Sequence, residues 1–379
     1  MARNARLLTV AAIVVAVAAG ATGAAAYTPL DGDRSVVVYW HDGAWQAQKT
    51  RRVRAGDTLN AVTAISSRNA WAVGSYTKTS GIDASPLAEH FTGKSWIPFR
   101  LPKTKGRRQS DLLGVSGSSA KNVWAVGWIT GKRDDGSMLP LIEHFNGKAW
   151  KIVRSPAIAD VNLTGVAAIS KRDAWAIGFG TDYAEHFVIE HWNGKVWQRV
   201  AAPYPSGDNM EELTSISAAS PHDVWAVGDY SGYGNTLDGD SLLLHWDGHH
   251  WTRADLPAPL SGGIWDVRAV GPNDVWALGA DSNSESALAH WDGNAWQAVA
   301  APPNPTASPD FGLGYLAVGS TNDVWALGGS GGDTYTWHWD GTSWTTALLP
   351  AKSGGDQVLY LGIAAAGGDA WAVGGSSQY

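Results

Sequence analysis

The 379-residue chain contains no cysteine. That excludes a disulfide scaffold, a thiol nucleophile and a thiolate metal site. No stretch shows sustained helical periodicity, so a bundle or an α/β fold is not expected. There is no Gly-x-Ser-x-Gly elbow, no paired-histidine zinc motif and no phosphate loop. Beyond the N-terminus, no segment is apolar enough to span a membrane. Disorder is excluded as well, because 22 Trp, 11 Tyr and 6 Phe supply abundant apolar surface. What is present in excess is tryptophan and glycine: 45 residues are Gly, above the ordinary share of about 7%. That pairing points to many tight turns and one repeated packing residue.

The first 26 residues read as a leader rather than as fold. Arg3 and Arg6 precede an apolar run over 7–19, and Ala24-Ala25-Ala26 supplies small residues at a cleavage site. A secretory signal over 1–26, with Tyr27 as first mature residue, is the expectation, and with it an exported protein. An uncleaved anchor is the alternative, since 7–26 is just long enough to cross a bilayer. The run is alanine-rich and weakly apolar, which favours cleavage and no membrane span in the mature chain.

Charge is split along the sequence. Residues 27–160 hold 19 Lys+Arg against 11 Asp+Glu, whereas 161–379 hold 7 against 24. Such asymmetry can create opposed fields on one body.

Self-similarity dominates the rest. One phrase, Asp or Asn, a small aliphatic residue, then Trp-Ala-aliphatic-Gly, recurs seven times, with its tryptophans at Trp71, Trp124, Trp175, Trp225, Trp276, Trp325 and Trp371. A second phrase, His-aromatic-Asp/Asn/Thr-Gly-x-x-Trp, follows six of them and ends at Trp96, Trp150, Trp197, Trp251, Trp296 and Trp344. A shortened copy, Trp40-His41-Asp42-Gly43-Ala44-Trp45, lies near the N-terminus. An aliphatic residue sits ten positions before each Asp/Asn, at Leu59, Leu112, Leu163, Leu213, Ile264, Leu313 and Leu359, and marks a first strand. The Trp-Ala phrase suits a second strand. An aliphatic run such as Leu242-Leu243-Leu244 suits a third, and the Asp/Asn-Gly pairs signal hairpins into a fourth.

Four-stranded units at this period predict an all-β fold, a seven-bladed β-propeller of antiparallel blades. The seventh copy ends with the chain, so its missing strand pair is the orphan at the start. Blade 7 is thus predicted from residues 35–50 plus 358–379, making 27–379 one closed domain without an exposed inter-blade edge. Nineteen of the 22 tryptophans fall on repeat positions or beside them and are expected to pack blade on blade. Six equivalent histidines, His90, His144, His191, His245, His290 and His338, are expected to bond within their blades.

The stretches Ile216-Ser-Ala-Ala-Ser-Pro-His-Asp-Val-Trp-Ala-Val-Gly228 and Leu244-His-Trp-Asp-Gly-His-His-Trp251 resemble the repeats of tectonin and tachylectin-type lectin propellers. They are still more similar to those of secreted actinobacterial seven-bladed propellers, including the lectin subunits of umbrella toxin particles. The resemblance covers roughly 35–379. It implies a carbohydrate- or cell-surface-binding module, possible as the targeting subunit of a secreted complex. The repeats are longer than tectonin's, and their turn residue is Asp or Asn rather than a glycine-centred pair.

Departures from the repeat are the place to seek function. The connections from second to third strand and from fourth to next first strand vary, and both lie on one face, where binding loops are usual. Candidate ligand-binding residues there are Tyr76, Trp128, Tyr183, Tyr204, Tyr230, Tyr233, Asp229, Asp238, Asp240 and Trp265. Aromatic rings can stack on sugar C–H faces while carboxylates and amides bond hydroxyls. A basic patch of Arg51, Arg52, Arg54, Lys103, Lys105, Arg107 and Arg108 is expected on the same face, suited to an acidic glycan, a teichoic acid phosphate or an acidic protein. Nucleic acid is not expected as a partner of an exported, acidic chain. Asn235–Ser241 carries oxygen ligands near calcium spacing but lacks the full loop pattern. No metal or cofactor is therefore expected, with calcium the one cation left open, and no catalytic residue is identified. The expected partner is a cell-surface glycan or a secreted protein, with the chain a monomer within a hetero-complex. A protein-interaction scaffold without glycan binding and a propeller glycosidase or lyase remain as alternatives.

Overall fold

The computed structural model describes residues 35–50, 56–77, 84–104, 109–131, 137–156, 160–180, 187–203, 210–231, 240–350 and 357–377. The expected signal segment lies outside the described residues. Seven antiparallel sheets of four strands each form a seven-bladed β-propeller. In blade 1 the strands, A to D, are Asp57–Ser66, Asn69–Thr77, Ala84–Phe91 and Trp96–Pro98. Blades 2 to 6 repeat this order with consecutive strands. Blade 7 takes A and B from Gln357–Ala366 and Asp369–Ser377, and C and D from Ser35–His41 and Ala44–Ala47. Val37 pairs with Val373 and Tyr39 with Trp371, so the hairpin from the start of the chain closes the ring. Every A strand contacts the A strands on both sides, which places the seven A strands innermost.

The repeated phrase is one local device. The B-strand tryptophan stacks on the C-strand histidine of its own blade, with ring centroids 4.1 Å apart for Trp71–His90, 4.0 Å for Trp124–His144 and 4.1 Å for Trp225–His245. The histidine Nε2 meets the Oδ1 of the Asp/Asn two residues before the tryptophan, at 3.1 Å in blade 1, 2.8 Å in blade 4 and 3.0 Å in blade 6. The six histidines thus bond within their blades. In blade 7, Tyr39 replaces the histidine, and His41 Nδ1 reaches Asp369 instead, at 2.9 Å. The phrase's final glycine has a different cause. A Cβ on Gly74, Gly127, Gly178, Gly228, Gly279, Gly328 or Gly374 would collide with a backbone carbonyl oxygen of strand A, so no side chain fits there.

The tryptophans bury the blade interfaces. Trp71, for example, joins Val73 and Ala88 of blade 1 to Leu112, Phe145 and Trp150 of blade 2. Trp371 does the same between blades 7 and 1.

Two expectations are corrected. Strands A carry a bulge just after their leading aliphatic residue, and blades 1 to 6 have a second one near the A–B turn. Blade 7 has only the first. One residue fewer separates the turn from the buried position, so Tyr360 takes it at 5% exposure while Leu359 is 49% exposed. The Asp/Asn-Gly hairpins are also longer than a two-residue turn. Trp246 pairs with Trp251, leaving a four-residue loop, in which Asp247 Oδ1 accepts the N–H of His249 and His250 at 2.8 Å each. Only blade 7 has the two-residue turn, where Asp42 and Gly43 both have positive φ.

Candidate functional site

The variable loops and the outer ends of the A strands share one face. Departures from the repeat gather there around the inner ring. In blade 2, Asp111 lies near the loop-face end of strand A, paired across to Trp128 on strand B. Its Oδ1 accepts Nδ2 of Asn60 from blade 1 at 2.8 Å, and the same amide reaches Leu112 O at 2.9 Å. Ser75 of blade 1 also bonds the carboxyl. Burial nevertheless pushes the Asp111 carboxyl up to about 7, against these bonds. Trp128 beside it is half-buried. The register thus sets Trp128 opposite a carboxyl that an amide and a hydroxyl of blade 1 bond, at the boundary of blades 1 and 2.

A second departure lies deeper, where strand A of blade 5 carries Asp266 and Arg268. Across the other blades the Asp266 position holds Ala61, Gly114, Gly165, Ser215, Tyr315 and Gly362, and the Arg268 position holds Thr63, Ser116, Ala167, Ser217, Ala317 and Ala364. Arg268 Nη1 pairs with Asp266 Oδ1 at 2.7 Å. It also donates to Ser215 Oγ of blade 4 at 3.0 Å, while Nε donates to Leu316 O of blade 6 at 2.9 Å. Asp266 in turn accepts Ser215 Oγ and Leu316 N, each at 2.7 Å. Burial pushes the Asp266 carboxyl up, while Arg268 and these bonds pull it down. So fully partnered a carboxylate ties three blades together and has little capacity left for chemistry. Sequence reasoning missed this network, although aligning the A strands would have exposed the two charged residues among small ones.

The remaining candidates divide. Tyr76 packs against the core between blades 7 and 1. Trp265 occupies the bulge of its A strand and packs, partly buried, against the core between blades 5 and 6, with its carbonyl accepting Thr214 Oγ1 at 3.0 Å. Neither ring stands free in a loop. In blade 4 the strand register sets Glu212 opposite Asp229, Glu211 opposite Tyr230, and Tyr230 opposite Asp240, at that blade's loop-face end. Lys103 is exposed after strand D of blade 1. Tyr183, Tyr204, Tyr233, Asp238, Arg51, Arg52, Arg54, Lys105, Arg107 and Arg108 lie outside the described residues. Among the described residues, no group of three or more His, Asp or Glu is placed to hold a metal ion.

One more set was not foreseen. Glu89, Glu143 and Glu190 occupy the same C-strand position in blades 1, 2 and 3, each fully buried. Glu190 Oε1 accepts Ser155 Oγ at 2.6 Å. Neither oxygen of Glu89 or Glu143 has a hydrogen-bond partner among the described residues. Burial pushes both carboxyls up to about 8. They face blade interfaces rather than the loop face.

Neither a scan against protein-family models nor a search of curated proteins returns a match. Solved structures similar to the chain include YCF48 bound to D1 peptide, at 16% identity over 83% of this chain and 92% of that one, with a TM-score of 0.49. The fucose-specific lectin from Aleuria aurantia is similar at 14% identity over 78% and 96%, with a TM-score of 0.46. A polysaccharide lyase, the PL25 ulvan lyase, matches at 12% identity over 79% and 83%, with a TM-score of 0.46. At such identities and scores, none of the three bears on ligand or activity.

Proposed function

We propose that the chain is an exported, non-catalytic binding propeller that recognises carbohydrate on a cell surface through its loop face. The observation that carries this reading is the group at the boundary of blades 1 and 2, where Trp128 sits beside Asp111 with Asn60 and Ser75 on its carboxyl. An aromatic face beside hydrogen-bonding groups is the chemistry that sugars require, because C–H faces stack on the ring and hydroxyls bond the polar groups. The repeat phrases' resemblance to tectonin-type and secreted actinobacterial lectin propellers supports the same role. In that reading the chain is the targeting member of a secreted, toxin-type complex, needs no cofactor and takes no nucleic acid.

The test is binding of residues 27–379 to a glycan array and to intact bacterial cells. Saturable binding that free sugar competes away, and that Trp128→Ala weakens about tenfold or more, is the expected result. A blank on both arms sinks the reading and leaves a protein-interaction scaffold. Turnover of a polysaccharide would instead identify a propeller glycosidase or lyase.

A further inference from the structure

The A–B and C–D turns lie on the face opposite the variable loops. In blades 1, 2 and 3 these turns carry seven cations: Arg68 and Lys94, Lys121 and Lys148, and Lys171, Arg172 and Lys195. All seven are exposed, and none forms an ion pair among the described residues. In each blade an A–B cation neighbours the C–D one, because the residue just before strand B lies over the C–D glycine. A Cβ on Gly93 would lie 3.1 Å from Arg68 Cβ, one on Gly147 2.8 Å from Lys121 Cγ, and one on Gly194 3.0 Å from Arg172 Cβ.

Blades 4 to 7 carry the opposite charge in their turns, of which only the C–D turn of blade 7 is shorter. Their equivalent positions hold His222 and His249, Asn273 and Asn294, Asn322 and Thr342, Gly368 and Ala44, with no Lys or Arg. Their C–D turns begin with the exposed aspartates Asp247, Asp292, Asp340 and Asp42, where blades 1 to 3 have Thr92, Asn146 and Asn193. Folding does not demand this difference. Asn146 Oδ1 accepts the N–H of Lys148 and Ala149 at 3.0 and 3.2 Å, as Asp292 Oδ1 accepts those of Asn294 and Ala295 at 2.9 Å each. Asparagine makes the same cap as aspartate while removing the counter-charge beside the lysine. The only carboxylate in the turns of blades 1 to 3 is Asp173, which is engaged with His191 at 2.9 Å. Clustering like charges without counter-charges raises self-repulsion and local potential together.

We propose that the turn face of blades 1 to 3 is a docking surface for an anionic polysaccharide, laid across the three blades. The cations recur in all three blades, two or three to a blade, instead of converging on a point, which fits a chain whose own charges repeat. Five are lysines, compact point charges with no bidentate preference, suited alike to sulfate, carboxylate or phosphodiester. A protein partner would need an apolar anchor, and of the exposed large hydrophobic residues only Val196 lies in these turns. This surface is separate from the loop face, so it stands or falls independently of the function proposed above.

The experiment measures residues 27–379 on immobilised heparin, on a poly(glycerol phosphate) and on neutral dextran, between 50 and 200 mM NaCl. Binding to either polyanion but not to dextran is expected, weakening steeply with salt. Which polymer binds distinguishes a sulfated or carboxylated sugar from a phosphodiester. The triple variant Lys94→Gln, Lys148→Gln, Lys195→Gln should bind at least about tenfold more weakly at 50 mM NaCl. By polyelectrolyte counterion release of about 0.7 per contact, its slope of log affinity against log salt should fall by about two. The corresponding Lys→Arg triple should bind like the parent, and equal melting temperatures would confirm that all three proteins are folded. The proposal is overturned by no binding of the parent to either polyanion at 50 mM NaCl, by equal binding of the glutamine triple, or by salt-sensitive self-association that this triple abolishes while no polymer binds.

Discussion

Blades 1 to 3 and blades 4 to 7 are built on one frame and filled differently. Both halves keep the Trp-on-His stack or its tyrosine substitute, and both keep the glycine under strand A. They part at the residue before the histidine on strand C. There the first half buries Glu89, Glu143 and Glu190, and the second buries Leu244, Ala289, Trp337 and Val38, all at 0% exposure. They part again at the turns, cationic in the first half and acidic in the second. What the halves share is what the fold requires. Where they differ at equal burial, the frame accepts either choice, and another demand or none has set it.

The shared part should break equally in both halves. Gly127→Ala and Gly279→Ala each drive a Cβ into a strand-A carbonyl, of Asp111 and Gly263 respectively. Each should cost about 4 kcal/mol, at the severe end for single substitutions, and chemical denaturation should find the two alike. A marked difference would mean that the halves do not share the frame.

Exchanging the unlike part should act with opposite signs. Leu244→Glu gives blade 4 a buried carboxyl with no evident partner and should destabilise by about 3 kcal/mol at pH 8. Glu143→Leu gives blade 2 the solution of blade 4 and should stabilise by about 2 kcal/mol, since no partner of Glu143 is orphaned. Thermal unfolding measures both, and a loss of stability in Glu143→Leu would show that the carboxyl holds something.

The pH dependence sharpens the same contrast. Glu89 and Glu143 titrate near 8 when folded and near 4.5 when unfolded. Between those values the folded protein keeps protons that the unfolded chain releases, so stability falls as pH rises through the window and levels off above about 8. His144, lowered to about 4 by burial, works in the other direction between about 4 and 6.5. Asp111, raised to about 7 by burial, and His41, raised by its bond to Asp369, add to the decline at the lower end, so the glutamates weigh most between about 7 and 8, and urea midpoints should decline across that window. Glu143→Gln should cut the glutamate share of that decline by about half, Glu89 keeping the rest, whereas a change at Leu244 to another aliphatic residue should leave it in place.

The smallest effect concerns the histidine partner. Blades 1 and 2 use asparagine where blades 3 to 6 use aspartate. Asp223→Asn should thus cost no more than about 0.5 kcal/mol, because His245 keeps an acceptor, whereas Asp223→Ala should cost about 1 to 2 kcal/mol. Calorimetry resolves the two.

Much of this was legible in the sequence. Trp-Ala-aliphatic-Gly fixes the strand phase, and the orphan Trp40–Trp45 copy fixes the closure, because both are local signals repeated enough to be counted. The candidate site was legible only in part. Trp128 emerged as a departure from the repeat, but Asn60, Ser75 and Asp111 did not, since they are polar residues in ordinary strand positions until a neighbouring blade brings them together. Tyr76 and Trp265 stood out as loop aromatics, yet strand B of blade 1 runs on through Thr77 and Trp265 fills a strand-A bulge, and both pack against a blade interface.

By itself, then, the sequence determined the number of blades, the order of strands and the pairing of the two chain ends. Period and alternation act over a few residues and survive without knowledge of neighbours. Only the tertiary structure decided that Tyr360 rather than Leu359 is buried, that Arg268 joins three blades, and that seven turn cations share one half of one face. Each of these depends on a bulge register or on residues about fifty positions apart in sequence, and that separation is closed only when the blades pack around a common axis.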